Sequence, residues 1–194
     1  MADALDLIDS IFVEHGAVTA ATRQRLRRGI ADLAESIAVA IESGGKLLVF
    51  GNGGSAADAQ HFAAELVGRF RRPRSALPAL ALTTDSSTMT AIANDFGYDD
   101  VFGRQVEALC RSTDVVVGIS TSGMALSVAR GLQAARARGA TTWALTGDTG
   151  GIAADAAEHA LLVPSDVTAR IQEMHVTIIH AVSELLDRRA AEEV

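Results

Sequence analysis

Cysteine is almost absent. Cys110 is the only one in 194 residues, so no intrachain disulfide can form, which fits a reducing compartment. It reads as a small buried apolar residue on a helix. Long apolar runs are missing too: none approaches the roughly 20 residues of a membrane-spanning helix. The first residues, Met1–Asp6, are acidic and lack the basic region of a signal peptide. Positive charge is scarce, with 17 Lys and Arg against 24 Asp and Glu and a net charge of −7. That removes the electrostatic basis for nucleic-acid binding, apart from one local basic run. These absences lead us to expect a soluble, cytoplasmic chain with neither nucleic acid nor membrane as a partner. Hydrophobic residues make up 48% and recur periodically, and the length suits one domain with a substantial core, spanning 1–194.

The most informative stretch runs from Leu47 to Glu65. Leu47–Phe50 is a short bulky apolar run, Gly51-Asn52-Gly53-Gly54-Ser55 is a glycine-rich turn, and a helix-forming run follows. The order reads as a buried parallel strand, a tight loop and a helix entered at its N-terminus. Ser55 reads as the N-cap, with Asp58 in the first turn. Loop amides at a helix N-terminus form an anion site, most plausibly for phosphate. The turn is not a Walker A loop, because no Gly-Lys-Ser/Thr follows, and its glycine spacing is not that of a dinucleotide fingerprint. Four residues apart on the same helix, His61 and Glu65 share one face. A phosphate cradle beside a His/Glu pair suggests chemistry on a phosphorylated small molecule.

Around this unit the chain alternates. Helices are expected over 3–14 and about 19–43, on the stripes Leu5, Ile8, Ile11, Phe12 and Leu26, Ile30, Leu33, Ile37, Ile41. They exceed what a three-layer core needs and are expected in a subunit interface. The basic turn Arg69–Arg74 reads as solvated at Arg71, Arg72 and Arg74, whereas Arg69 is placed to reach an anionic substrate. Strands are expected at 79–83, 114–119, 141–146 and 160–163, the Trp143 ring being core. A helix is expected to end near Asn94-Asp95, with others at about 100–111, 125–138 and 168–192. The loop after the third strand, Ser120-Thr121-Ser122-Gly123, repeats the small polar turn before a helix and again favours phosphate. The whole is an α/β chain: a three-layer sandwich with a five-stranded parallel sheet plus N-terminal helices, its ligand loops at the carboxyl edge.

Five motifs carry a resemblance. Gly51-Asn52-Gly53-Gly54-Ser55, Asp58-Ala59-Gln60-His61-Phe62 with Glu65, Ala93–Tyr98, Gly118–Gly123, and Arg170-Ile171-Gln172-Glu173 with His180 together resemble the phosphoheptose isomerases of the SIS sugar-isomerase superfamily, over nearly the whole chain. The resemblance implies a flavodoxin-like SIS domain and ketose–aldose isomerisation of sedoheptulose 7-phosphate for bacterial heptose synthesis. It also implies a homotetramer with active sites between subunits. It assigns zinc to His61, Glu65, Gln172 and His180, acid–base catalysis to Glu65 and His180, and substrate binding to Asn52, Gly53, Gly54, Asn94, Asp95, Ser120, Thr121, Ser122 and Gln172. Ser55 and Arg69 join the binding set from the reading of the turn itself.

The chemistry suits these residue types. Moving a carbonyl between neighbouring carbons needs a base for a carbon-bound proton and an acid for oxygen, and a cation steadies the developing charge. Gln172 is an unusual zinc ligand, so a weak site is expected. His175 ranks second to His180, and His15 and His159 are expected in surface or core roles. One departure stands out: the family loop usually continues Asn-Ser, the serine binding phosphate, where this chain has Met124 and Ala125. Two other readings compete. One is a non-catalytic SIS protein that binds a replication initiator, which would not need Glu65 and His180; the other is an isomerase for a different sugar phosphate.

Overall fold

The structure, a computed structural model, describes residues 2–192; Met1, Glu193 and Val194, the ends of the expected 1–194 domain, lie outside the described residues. In chain order the elements are α1 (Ala2–Glu42), β1 (Leu47–Gly51), α2 (Gly54–Val67), β2 (Ala79–Ala81), α3 (Ser86–Phe96), a 3-10 turn (Tyr98–Asp100), α4 (Gly103–Leu109), β3 (Val115–Ser120), α5 (Leu126–Ala137), β4 (Thr141–Gly147), α6 (Gly151–Ala156), β5 (His159–Val163) and α7 (Thr168–Glu192). All strand pairings are parallel, in the order β2-β1-β3-β4-β5. The five-stranded α/β sandwich and its flavodoxin-like order are therefore present.

Side chains alternate across each strand, so one apolar run supplies two cores. Leu47 and Val49 of β1 pack with Leu33, Ile37, Phe62, Leu66 and Ile178 under α1, α2 and α7. Leu48 and Phe50 face the other way, onto Phe102, Val106, Val128 and Leu132. Trp143 is buried in the first core, as expected. Among the described residues, no helix is long and apolar enough to cross a membrane.

Two expectations are corrected. The N-terminal helices are one helix of 41 residues, α1, with Gly16 inside it. A lone glycine costs a helix only about 1 kcal/mol relative to alanine, and no proline interrupts the run. Its second half is core, but Leu5, Phe12 and Val13 are 61, 71 and 73% exposed. Secondly, α2 begins at Gly54 on the N-cap Gly53, whose carbonyl accepts from the amides of Ala56 and Ala57. Ser55 is therefore not the cap; it is buried inside the first turn. Gly53 takes φ 55°, which glycine adopts without penalty.

Candidate active site

β1 and β3 are neighbours whose following helices cover opposite faces, so the sheet has its switch point between them. Open α/β sheets bind ligands at this point, and both phosphate-type turns lie there. After β1, Gly53 and Gly54 are exposed, leaving backbone open to a ligand. The amide of Asn52 is already committed: its Oδ1 accepts from Tyr98 Oη at 2.8 Å, and its Nδ2 donates to Ser127 Oγ at 3.0 Å. That leaves one N–H for substrate. Sequence reasoning passed over Tyr98 and Ser127 as functional residues, although Tyr98 closes one of the recognised motifs.

After β3, Ser120 is buried, while Thr121 and Ser122 line a cavity of about 490 Å³ with Asp148, Ser165 and Thr168. Ser122 Oγ accepts from the Met124 amide at 3.2 Å. The N-cap of α5 is Ala125, which has no side chain to offer an anion. Asn94 and Asp95 lie exposed at the end of α3, hydrogen-bonded to each other at 2.7 Å. Arg69 is exposed in the loop after α2.

The second part of the site lies in the groove between α2 and α7. His61 Nε2 is 3.2 Å from Glu65 Oε1 and 2.8 Å from His180 Nε2, and the ligand atoms of all three lie within 4.8 Å of one another. Two imidazole nitrogens at that separation need a proton or a cation between them. Tetrahedral zinc with nitrogen ligands at about 2.0–2.1 Å spaces its ligands by little more than 3 Å, so the His61–Glu65 and His61–His180 separations suit such an ion. Gln172 sits earlier along the same groove. A Cβ on Gly54 would run into its amide, and its Nε2 donates to Asp58 Oδ1 at 3.4 Å. Asp58 Oδ2 is buried without a partner, and burial raises its carboxyl's pKa despite the Gln172 hydrogen bond and the nearby His61. With α2 starting at Gly54, Asp58 lies beyond the first turn, where it was expected, and it supports Gln172, a role the sequence gave no hint of.

The other histidines lie apart from this cluster. His175 is fully buried, its Nε2 3.3 Å from the Thr146 carbonyl, and burial pushes its pKa down to about 4 against that hydrogen bond. His15 pairs with Glu173 at 2.7 Å, and His159 packs on Trp143. Cys110 is buried, and burial with Asp114 nearby pushes its thiol up to about 11, so it stays protonated. The basic run departs from expectation: Arg74 is not solvated but fully buried against Asp187.

The SIS domain family matches residues 12–147. The chain is 50% identical over 188 residues to the phosphoheptose isomerase of Aquifex aeolicus, covering 97% of this chain and 98% of that protein. It is 56% identical over 164 residues to that of Roseiflexus sp., covering 84% and 83%. Among solved structures, the phosphoheptose isomerase of Neisseria gonorrhoeae superposes with a TM-score of 0.90 at 42% identity, covering 95% of this chain and 99% of that one. That of Francisella tularensis gives 0.92 at 37%, covering 95% and 98%. The chain belongs to the SIS-domain phosphoheptose isomerases and is an isomerase.

Proposed function

We propose that the chain interconverts sedoheptulose 7-phosphate and D-glycero-D-manno-heptose 7-phosphate, as a cytoplasmic step of heptose synthesis. The observation that carries this reading is the convergence of His61, Glu65 and His180 in the groove between α7 and α2, the helix that opens from the first phosphate-type turn. The Glu65 carboxylate takes the proton from the hydroxyl-bearing carbon beside the carbonyl, and His180 protonates the carbonyl oxygen, giving an enediol. Return of the carbon proton to the adjacent carbon, with loss of the other hydroxyl proton, completes the shift without gain or loss of electrons. Asn52, Gly53, Gly54, Ser120, Thr121 and Ser122 hold the phosphate and hydroxyls, joined by Asn94, Asp95 and Gln172, with Ser55 and Arg69 completing the set. Zinc would be held by His61, Glu65 and His180 with Gln172, one atom from each, so that the second carboxylate oxygen of Glu65 and the second ring nitrogen of His180 would keep the proton-transfer roles. When bound it supplies positive charge for the oxygens of the enediol. Incubating purified protein with sedoheptulose 7-phosphate and following the aldose by NMR tests the reading; absence of product at saturating zinc would overturn it.

The same reading includes one SIS domain per chain in a homotetramer with sites between subunits. Three features support it: the exposed apolar start of α1, an apolar groove of about 530 Å³ between α1 and α7 around Ile30, Met174 and Ile178, and α3, which buries none of its residues yet carries Asn94 and Asp95. Sedimentation as a monomer at micromolar concentration would contradict it.

A further inference from the structure

The loop between α2 and β2, residues 68–78, has no regular secondary structure, yet its middle is fastened to α7. Arg74 Nε donates to Asp187 Oδ1 at 2.6 Å, and these side chains are 1% and 0% exposed. Asp187 Oδ2 accepts the backbone amides of Arg71 and Arg72 at 2.6 and 2.9 Å. Three of the four remaining guanidinium N–H groups donate to the carbonyls of Glu65, Leu66 and Ser75 at 2.7, 2.8 and 2.9 Å. Glu65 and Leu66 lie in the last turn of α2, where carbonyls have no intrahelical partner. One guanidinium therefore joins the helix of His61 and Glu65 to the helix of His180.

What this clip presents to the site is Phe70, the residue just before the two fastened amides. Its ring stacks on the His180 imidazole, with centroids 5.2 Å apart and planes inclined by 29°. At its Nε2 edge His180 meets His61, Nε2 to Nε2 at 2.8 Å. His180 precedes Asp187 by seven residues, about two turns on one face of α7. The phenyl ring is thus anchored to the same helix as the imidazole it covers.

We propose that Phe70 is a positioning residue for His180, held in register by the buried Arg74–Asp187 pair. It closes one face of the imidazole, excludes the rotamers that turn Nε2 away from His61 and Glu65, and keeps water off that face. The proposal rests on the role given to His180 above and acts only through that side chain.

Full-length Phe70→Leu, Phe70→Tyr and His180→Gln test it through kcat, KM, melting temperature and the zinc affinity of the metal-stripped protein. Phe70→Leu is expected to lower kcat about tenfold and weaken zinc binding by a similar factor, with KM and melting temperature little changed, since small displacements of a catalytic group cost up to about a hundredfold. Phe70→Tyr keeps the ring and should restore both. Wild-type kcat and zinc affinity in Phe70→Leu would overturn the proposal. So would a raised KM with unchanged kcat, which marks a substrate contact, or a Phe70→Tyr variant as impaired as Phe70→Leu. A fully active His180→Gln would instead overturn the underlying role of His180; an inactive His180→Gln beside a normal Phe70→Leu overturns only the present proposal.

Discussion

After β1 the chain enters α2 through Asn52-Gly53-Gly54, and after β3 it enters α5 through Ser120–Ala125. Both turns have the small-residue chemistry of a phosphate site, but they are finished differently. The first is tied down at both ends: Asn52 is held by Tyr98 and Ser127, and the far end of α2 by the Arg74 guanidinium, while the Gln172 amide lies close over Gly54. The second ends on exposed Met124 and a helix capped by Ala125, beside an open cavity. The contrast separates two demands. The proposed acid–base groups have to keep their geometry, since a misplacement of about 1 Å costs roughly a hundredfold, and their helices are fastened together. Phosphate recognition tolerates a looser frame, because the phosphate is held alike in ground and transition states.

The largest expected effect is at the fastened end. His180→Gln should lower kcat at least a hundredfold while leaving circular dichroism unchanged, the usual size of an acid–base contribution. A variant keeping more than about a tenth of wild-type turnover, less than about 1.4 kcal/mol of barrier, would remove His180 from the reaction.

Next comes the clip. Arg74→Met leaves Asp187 charged and buried, and breaking such a pair costs about 3–5 kcal/mol. At about 2–4 °C per kcal/mol for a chain of this size, the melting temperature should fall by roughly 10 °C. A fall within 2 °C would mean that the α2–α7 pairing does not depend on it.

A third test uses the buried imidazole of His175, on α7 against β4. The folded His175 has a pKa near 4 against an ordinary 6.5, so between those values the unfolded chain takes up a proton that the folded chain refuses. Its contribution to stability is complete above about pH 6.5 and is lost as pH falls toward 4, amounting to about 3 kcal/mol at 1.36 kcal/mol per unit. Denaturant melts of metal-stripped wild type and His175→Gln should diverge over that window, and parallel curves would contradict the burial argument.

Much of this was legible in the sequence because it was local or periodic. The apolar strands, the two turns and the i, i+4 pair His61/Glu65 are patterns within one element, and the structure keeps them together. What was not legible depends on partners far along the chain. Arg74 in a basic run looks solvated until Asp187, 113 residues later, comes to meet it. Asn52 looks like a free substrate ligand until Tyr98 and Ser127 take its amide. The two N-terminal helices became one because composition around Gly16 weakens a helix without stopping it.

The smallest expected effect sharpens the open turn. Met124→Asn with Ala125→Ser returns a hydroxyl to the start of α5, and a hydrogen bond to a charged group contributes about 1.5–3 kcal/mol. KM for sedoheptulose 7-phosphate should fall by roughly tenfold, the lower end of that range, with kcat little changed. An unchanged or higher KM would mean that this turn does not bind the phosphate.

The central claim, that Glu65 is the base moving the carbon-bound proton, is tested most directly by one comparison. Wild type and Glu65→Gln are assayed side by side for conversion of sedoheptulose 7-phosphate at saturating zinc. The account predicts steady formation of the aldose by the wild type and a loss of at least a hundredfold in kcat for a folded Glu65→Gln. Turnover by Glu65→Gln within tenfold of wild type would contradict it.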